Sequence, residues 1–444
     1  MPLAVLALAG CGRSGGAGPV STSGVGVVTV TDGGADAGAT CTIAATVALS
    51  PTMPTVAVVT WSTSWPDLTA AEIDFGPAAG GPRTAAPVDL GQPGYRTLLL
   101  GMKPSSDYLF RIVARDAAGT CTGEEQPLRT GALSGAPKVT ATVADAAAHD
   151  RGFIVTSTGL PGKTAFIIDA DGAVVWSFPG PAQPSRAHLS WDGSHLYAMA
   201  LNVENDGTGE VQSVAMDGTD AVSLGGLAAA HHDLTAIPGG FATLLWNGPG
   251  IDAPCSLVER ADATGALTTV VADMGRVYNS KTFHTNSVHY YPGDDSYTVG
   301  DRNPALFVKL TRAGGLLWQF GGGDPKDPSK FFAGVPAWTV NHGHQLLADG
   351  TFVFFDNGGS EAWAYALDPA SLTARQIFDY TASGAVSQVL GDVQRLPNGN
   401  YLVTFSTSGQ IHEVSPSGAL VAEFTSPSFG YAEFRESLYG PPPY

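Results

Sequence analysis

From about residue 150 onward, short runs of strand period follow one another, each leading to an aromatic residue and then a turn. Ala165-Phe166-Ile167-Ile168-Asp169 leads to Trp176, and Leu306-Phe307-Val308-Lys309-Leu310 leads to Trp318. Tight turns that feed a further strand recur as Ser190-Trp191-Asp192-Gly193, Ile237-Pro238-Gly239-Gly240, Tyr291-Pro292-Gly293-Asp294, Leu347-Ala348-Asp349-Gly350 and Leu396-Pro397-Asn398-Gly399. They start 47, 54, 56 and 49 residues apart. Strand-and-turn repeats of roughly 40–50 residues predict a β-propeller. About 300 residues at roughly 50 per blade predict six blades, with five or seven as alternatives. No helix-period pattern of useful length interrupts them.

Residues 41–131 alternate in the same way without repeating. Val56-Ala57-Val58-Val59-Thr60-Trp61, Arg96-Thr97-Leu98-Leu99-Leu100 and Tyr108-Leu109-Phe110-Arg111-Ile112-Val113-Ala114 read as strands. Leu100-Gly101-Met102-Lys103-Pro104-Ser105-Ser106-Asp107-Tyr108 resembles the tyrosine-corner region of fibronectin type III domains, so a small β-sandwich is expected there. It carries no catalytic pattern, and the repeats from about residue 132 to 444 are expected to fold and work without it. Residues 12–40, rich in Gly, Ala, Ser, Thr and Val, read as a flexible tether. The formal G-x-S-x-G match at Gly12-Arg13-Ser14-Gly15-Gly16 has no strand before it and no helix after it, so it is not a nucleophile elbow.

The apolar opening Met1–Gly10 ends at Cys11, and Leu8-Ala9-Gly10-Cys11 resembles a bacterial lipobox. It implies a lipoprotein signal segment over 1–11, a lipid anchor at Cys11, and an exported, periplasmic or outer-membrane-anchored protein; an ordinary signal peptide is the alternative. Export would oxidise Cys41 and Cys121, which bracket the small domain, and leave Cys255 free and buried. With 56 glycines, 31 prolines and 14% charged residues, the chain is neither disordered nor a coiled coil. Its net charge of −18 argues against nucleic acid as a partner, and any anionic substrate needs a local cationic pocket.

Candidate chemistry enters with the histidines. His232 lies six residues before Pro238, His342 six before Ala348 and His284 eight before Pro292. Equivalent positions on the inner strands of different blades face one channel, so the three are expected to converge there. The equivalent position near Gly391 and Asp392 has no histidine. His149, His188, His195, His289 and His412 read as structural or exposed.

The ordered set His231-His232-Asp233-Leu234, His284-Thr285-Asn286-Ser287-Val288, Gly300-Asp301-Arg302-Asn303, Leu317-Trp318-Gln319-Phe320-Gly321-Gly322 and Phe355-Asp356-Asn357-Gly358 resembles the bacterial arylsulfate sulfotransferase family over about residues 150–440. The resemblance implies a six-bladed propeller and transfer of a sulfuryl group from an aryl sulfate donor to a phenolic acceptor through a sulfurylated histidine. It implies no nucleotide donor, cofactor or metal. The family's His-x-Asn matches His284 and Asn286, and its arginine matches Arg302. Its nucleophile falls on Asn341-His342-Gly343-His344, where turn alignment selects His342, although plain alternation sends His344 to the same face. Its remaining histidine falls on His231-His232, where the alignment selects His232 and sends His231 to the other face.

Those residue types suit the chemistry. A neutral imidazole is a nucleophile, and a covalent intermediate divides one transfer into two easier steps. Sulfuryl transfer, like phosphoryl transfer, concentrates charge on equatorial oxygens, which a forked guanidinium stabilises. His284 and Asn286 would add donors, and a second imidazole would take the phenol's proton. Two other readings stand beside this one: a propeller that only binds ligands or proteins, and a metal-dependent hydrolase with His231, His232, His284 and His342 as ligands. An oligomer remains open.

Overall fold

In the computed structural model the described residues are 41–442, without 118, 249, 333–334 and 336. Cys11 and the tether therefore lie outside the described residues. The secondary structure is almost wholly antiparallel β, and no helix is long and apolar enough to cross a membrane.

Residues 43–129 form two facing sheets. One holds Ile43–Leu49, Ala57–Thr63 and Thr97–Leu99; the other is built around Ala70–Pro77 and Asp107–Arg115. Alternate residues point inward, so Ile43, Val59, Trp61, Ile73, Phe75, Phe110 and Ile112 make one core. Tyr108 Oη accepts the Lys103 N–H at 2.8 Å. Cys41 and Cys121 are disulfide-bonded, joining the lead-in to the first strand with the Thr120–Thr122 strand. Cys255 is free and buried.

From residue 140 on, six sheets of four or five strands succeed one another among the described residues. Their innermost strands are Glu433–Arg435, Pro184–Leu189, Ala230–Ile237, Thr285–Tyr291, Asn341–Leu346 and Asp392–Arg395. Each sheet turns one face to the next, so the strands are apolar on both faces, as in Phe352-Val353-Phe354-Phe355.

At four of the six junctions between inner strands a side chain accepts the neighbouring strand's backbone N–H. Asp233 takes Val288 N, Gln345 takes Arg395 N, Gln394 takes Phe434 N, and Glu433 takes Leu189 N. Chain ends complete the first and last sheets. Glu433–Arg435 pairs with Phe153–Ser157, and Thr140–Val143 pairs with Leu420–Thr425.

The repeats and the N-terminal unit share a buried face. Met53, Val56 and Leu100 of the N-terminal unit are buried in the same cluster as Val155, Val175 and Trp176. Thr55 Oγ1 donates to the Val175 carbonyl at 2.6 Å, and Arg96 pairs with Asp217. Removing the first 131 residues would uncover that apolar face.

Candidate functional site

The site is made by irregularities repeated at one level of the ring. The inner strands lose register with their partners between Pro184 and Arg186, His231 and Leu234, Thr285 and Ser287, and Asn341 and His344. A β-bulge re-aims side chains that plain alternation would send elsewhere. The bulged positions include Ser185, His232, Asn286 and His342, each six residues before its turn's second residue. Hence the register equivalent of His232 and His342 is Asn286, and His284 sits one step above it, just ahead of its strand.

The bulge in Asn341–Leu346 also separates the two histidines that alternation placed together. His342 lines the upper cavity, whereas His344 lies lower, bonded through its ring nitrogens to Ser287 Oγ at 3.0 Å and Thr298 Oγ1 at 2.9 Å. Gly343 is required here, because a Cβ would stand 2.1 Å from Asp392 Oδ1.

The upper cavity, about 210 Å³, brings His232, His284, Arg302 and His342 together. Its remaining walls are Leu201, Val203, Ile251, Val389 and Leu390, with Glu204 at the rim. Asn286 is not on this wall. Its amide donates to the Asn341 carbonyl at 2.7 Å, so it holds the strand leading into His342 rather than offering a donor to a ligand.

Burial controls protonation. It pushes His342 down to about 3, with Arg302 and His284 adding to the effect and Asn357 and Val340 opposing it. Burial and then Arg302 push His284 down to about 4. Burial first, and then the three neighbouring histidines and Arg302, hold His232 well below its ordinary value. All three rings are therefore neutral at neutral pH. Arg302 Nε and His342 Nδ1 are buried with no hydrogen-bond partner among the described residues. A cation that pairs with no carboxylate among the described residues, beside neutral imidazoles, is a place for an anion.

Three carboxylates that sequence reasoning did not select hold this frame. Asp301 accepts His284 N at 2.8 Å and Tyr278 Oη at 2.5 Å, and Asp356 accepts Val340 N at 2.8 Å. Both end the second strand of their sheets, a signal visible in Gly300-Asp301-Arg302 and Phe355-Asp356-Asn357. Asp233 accepts Arg186 Nε at 2.7 Å, and the same guanidinium reaches Asp392 at 2.9 Å and lies 4.3 Å from the Tyr431 ring centroid.

This Arg186 cluster divides the axis. Below it lies a second cavity of about 430 Å³, lined among others by His188, His289, His344, Gln345, Gln394 and Glu433. His231, sent to the opposite face by alternation, instead lies against His232, their Nδ1 atoms 2.7 Å apart. Among the described residues no three His, Cys, Asp or Glu side chains are grouped so as to hold a metal ion.

Residues 262–427 match the family model of arylsulfotransferase (ASST). No curated protein matches the chain. Similar solved structures include a protein of unknown function from Bacteroides caccae (11% identity, 64% of this chain, 98% of that chain, TM-score 0.45). TolB from Acinetobacter baumannii (10%, 75%, 79%, TM-score 0.44) and virginiamycin B lyase from Staphylococcus aureus (9%, 74%, 93%, TM-score 0.39) are others.

Proposed function

On the premise that residues 262–427 are of the arylsulfotransferase family, we propose that the upper cavity transfers a sulfuryl group from an aryl sulfate to a phenol by a ping-pong route through sulfurylated His342. The observation that carries this reading is the meeting of His342, His232, His284 and the uncommitted Arg302 in one apolar-walled cavity. Apolar walls suit an aromatic ring, and Arg302 suits the sulfuryl oxygens. A neutral His342 attacks sulfur, the phenolate leaves, and the bound sulfuryl group then passes to a phenol whose proton goes to His232. Arg302 faces the charge on the equatorial oxygens in both steps. No step needs a nucleotide donor.

The same reading takes the six sheets as the six blades of a propeller and residues 41–131 as a fibronectin type III-like sandwich, supported by its facing sheets and the Tyr108 hydrogen bond. It keeps export, with a lipid anchor at Cys11, supported by the Cys41–Cys121 disulfide.

The test mixes protein with 4-nitrophenyl sulfate alone, then adds phenol. One equivalent of nitrophenol per site should appear in a burst, with an adduct of about 80 Da, one sulfuryl group, on His342. An adduct on another residue moves the nucleophile. No burst and no adduct, with hydrolysis appearing only on adding zinc, overturns the reading in favour of a metal-dependent hydrolase.

A further inference from the structure

His231 has no access to solvent and no place on the cavity wall, yet it is joined to the wall by a chain of rings. Its Nδ1 lies 2.7 Å from His232 Nδ1, and His232 Nε2 lies 3.1 Å from His284 Nε2. The His231 ring stacks on Trp246 at 3.8 Å between centroids and 15° between planes, while it stands nearly perpendicular to His232 at 88°. Trp246 is itself fixed, its Nε1 donating to the Asn202 carbonyl at 3.1 Å.

Two features set this apart from ordinary core packing. An apolar ring would fill the slot against Trp246 equally well, yet an imidazole stands there whose Nε2 is buried and without a partner among the described residues. Among the described residues its one hydrogen-bonding contact is to His232. In addition, His232 adopts φ +62°, a left-handed conformation uncommon for any residue but glycine, and it does so inside the bulge. That backbone turns two consecutive rings toward each other, where extended strand would send them to opposite faces.

A pair of facing Nδ1 atoms holds one proton, so the tautomers of the two rings are locked together. We propose that His231 is the positioning residue of His232, accepting the His232 Nδ1–H and leaving His232 Nε2 as the basic nitrogen that faces the cavity. This rests on the sulfuryl-transfer reading above. It is the arrangement in which an orienting group holds a catalytic imidazole in one tautomer, met here with a neutral histidine in the place of a carboxylate.

The step balances as follows. Sulfuryl-His342 carries a proton on its second ring nitrogen. The phenol oxygen bonds to sulfur, and the pair of the N–S bond returns to a neutral His342. The phenol's proton moves to His232 Nε2, displacing the contact with His284. His232 is then a cation, its Nδ1–H held by His231, and the product is an aryl sulfate anion.

The test compares His231→Phe, which keeps a ring on Trp246 and removes the acceptor, with His231→Asn, which restores a polar atom near the Nδ1 position. Transfer from the sulfurylated protein to phenol should fall about a hundredfold in His231→Phe. The nitrophenol burst should fall less, since that leaving group needs no proton, and His231→Asn should recover most of the transfer rate. Nitrogen-15 spectra of the histidine-labelled wild-type protein read the tautomer directly, whether or not the variants fold. His232 protonated at Nδ1 is the expected result; His232 protonated at Nε2, or an unchanged transfer rate in folded His231→Phe, overturns the proposal. A wild-type protein with no burst sinks the sulfuryl-transfer reading, while the tautomer measurement still decides the pairing.

Discussion

The lower cavity on the ring axis is lined by all six inner strands, the upper one by only two of them together with connecting loops, and the larger is the less reactive in make-up. In the lower one, about 430 Å³, several of the polar groups are engaged by the strands around them. His344 bonds two hydroxyls, Glu433 accepts Leu189 N and faces Arg435, and Gln345 and Gln394 hold neighbouring backbones. In the upper one, about 210 Å³, neither Arg302 Nε nor His342 Nδ1 has a hydrogen-bond partner among the described residues. Size is a poor guide to chemistry; groups left uncommitted are a better one, because each must be satisfied by something that binds.

The comparison breaks most sharply at His342. His342→Ala should lower the donor burst by at least about 10³-fold and remove the adduct, because among the described residues no other uncommitted nucleophile stands in the cavity. A burst that survives in a folded His342→Ala protein would place the nucleophile elsewhere.

Arg186→Met tests the divider between the cavities. The guanidinium is buried against Asp233 and Asp392, so its loss leaves two buried carboxylates without their counter-charge. The cost to folding should be on the order of 3–5 kcal/mol. Denaturant melts would show it as a lowered midpoint, and an unchanged midpoint would mean the cluster is hydrated.

Arg302→Lys keeps the charge and loses the fork, so both half-reactions should slow by about 10²-fold, within the range of oxyanion-type contacts. A loss confined to binding of the donor would show that Arg302 recruits the anion without serving the transition state.

How far the site could be read in advance follows from these residues. Turn spacing placed His232 and His342 at one level, because a hydrogen-bonded ring repeats its register from sheet to sheet. It could not tell which neighbour shares that level, since alternation assumes an unbroken ladder. The bulges break it, sending His344 down to Ser287 and Thr298 and bringing His231 onto His232. Asp301 and Asp356 stand at readable strand ends, but Arg186 acts through Asp233 and Asp392, charges far away in sequence, which no local pattern shows. The docking of Met53, Val56 and Leu100 against the repeats was likewise hidden, because an apolar residue reads alike in its own core and in a shared one.

Acid separates protonation of the site from its chemistry. His342 and His284, held down to about 3 and about 4 by burial first, charge in the unfolded chain near 6.5. The unfolded state therefore binds more protons between those values. Stability is complete above about pH 6.5 and is lost as pH falls toward 4, at up to about 1.4 kcal/mol per pH unit per group. The donor burst should stay level from pH 8 to about 5, because His342 is already neutral throughout that range. A burst that drops with a midpoint near 6.5 would mean that the cavity is wetter than its burial indicates.

The smallest expected effect is the most pointed test of the contrast between the cavities. Arg395 lines the lower cavity, and its guanidinium lies 4.3 Å from the centre of the Tyr401 ring. Its backbone N–H, bonded to Gln345, is kept by any substitution except proline. Arg395→Gln therefore removes one cation–π contact, about 0.5–1 kcal/mol of stability, and nothing the reaction uses. Burst and transfer should both stay within about twofold of wild type. A tenfold fall in either, with the melt displaced by no more than this contact, would mean that substrate or protons pass through the lower cavity. The divider made by Arg186, Asp233 and Asp392 would then be a gate rather than a wall.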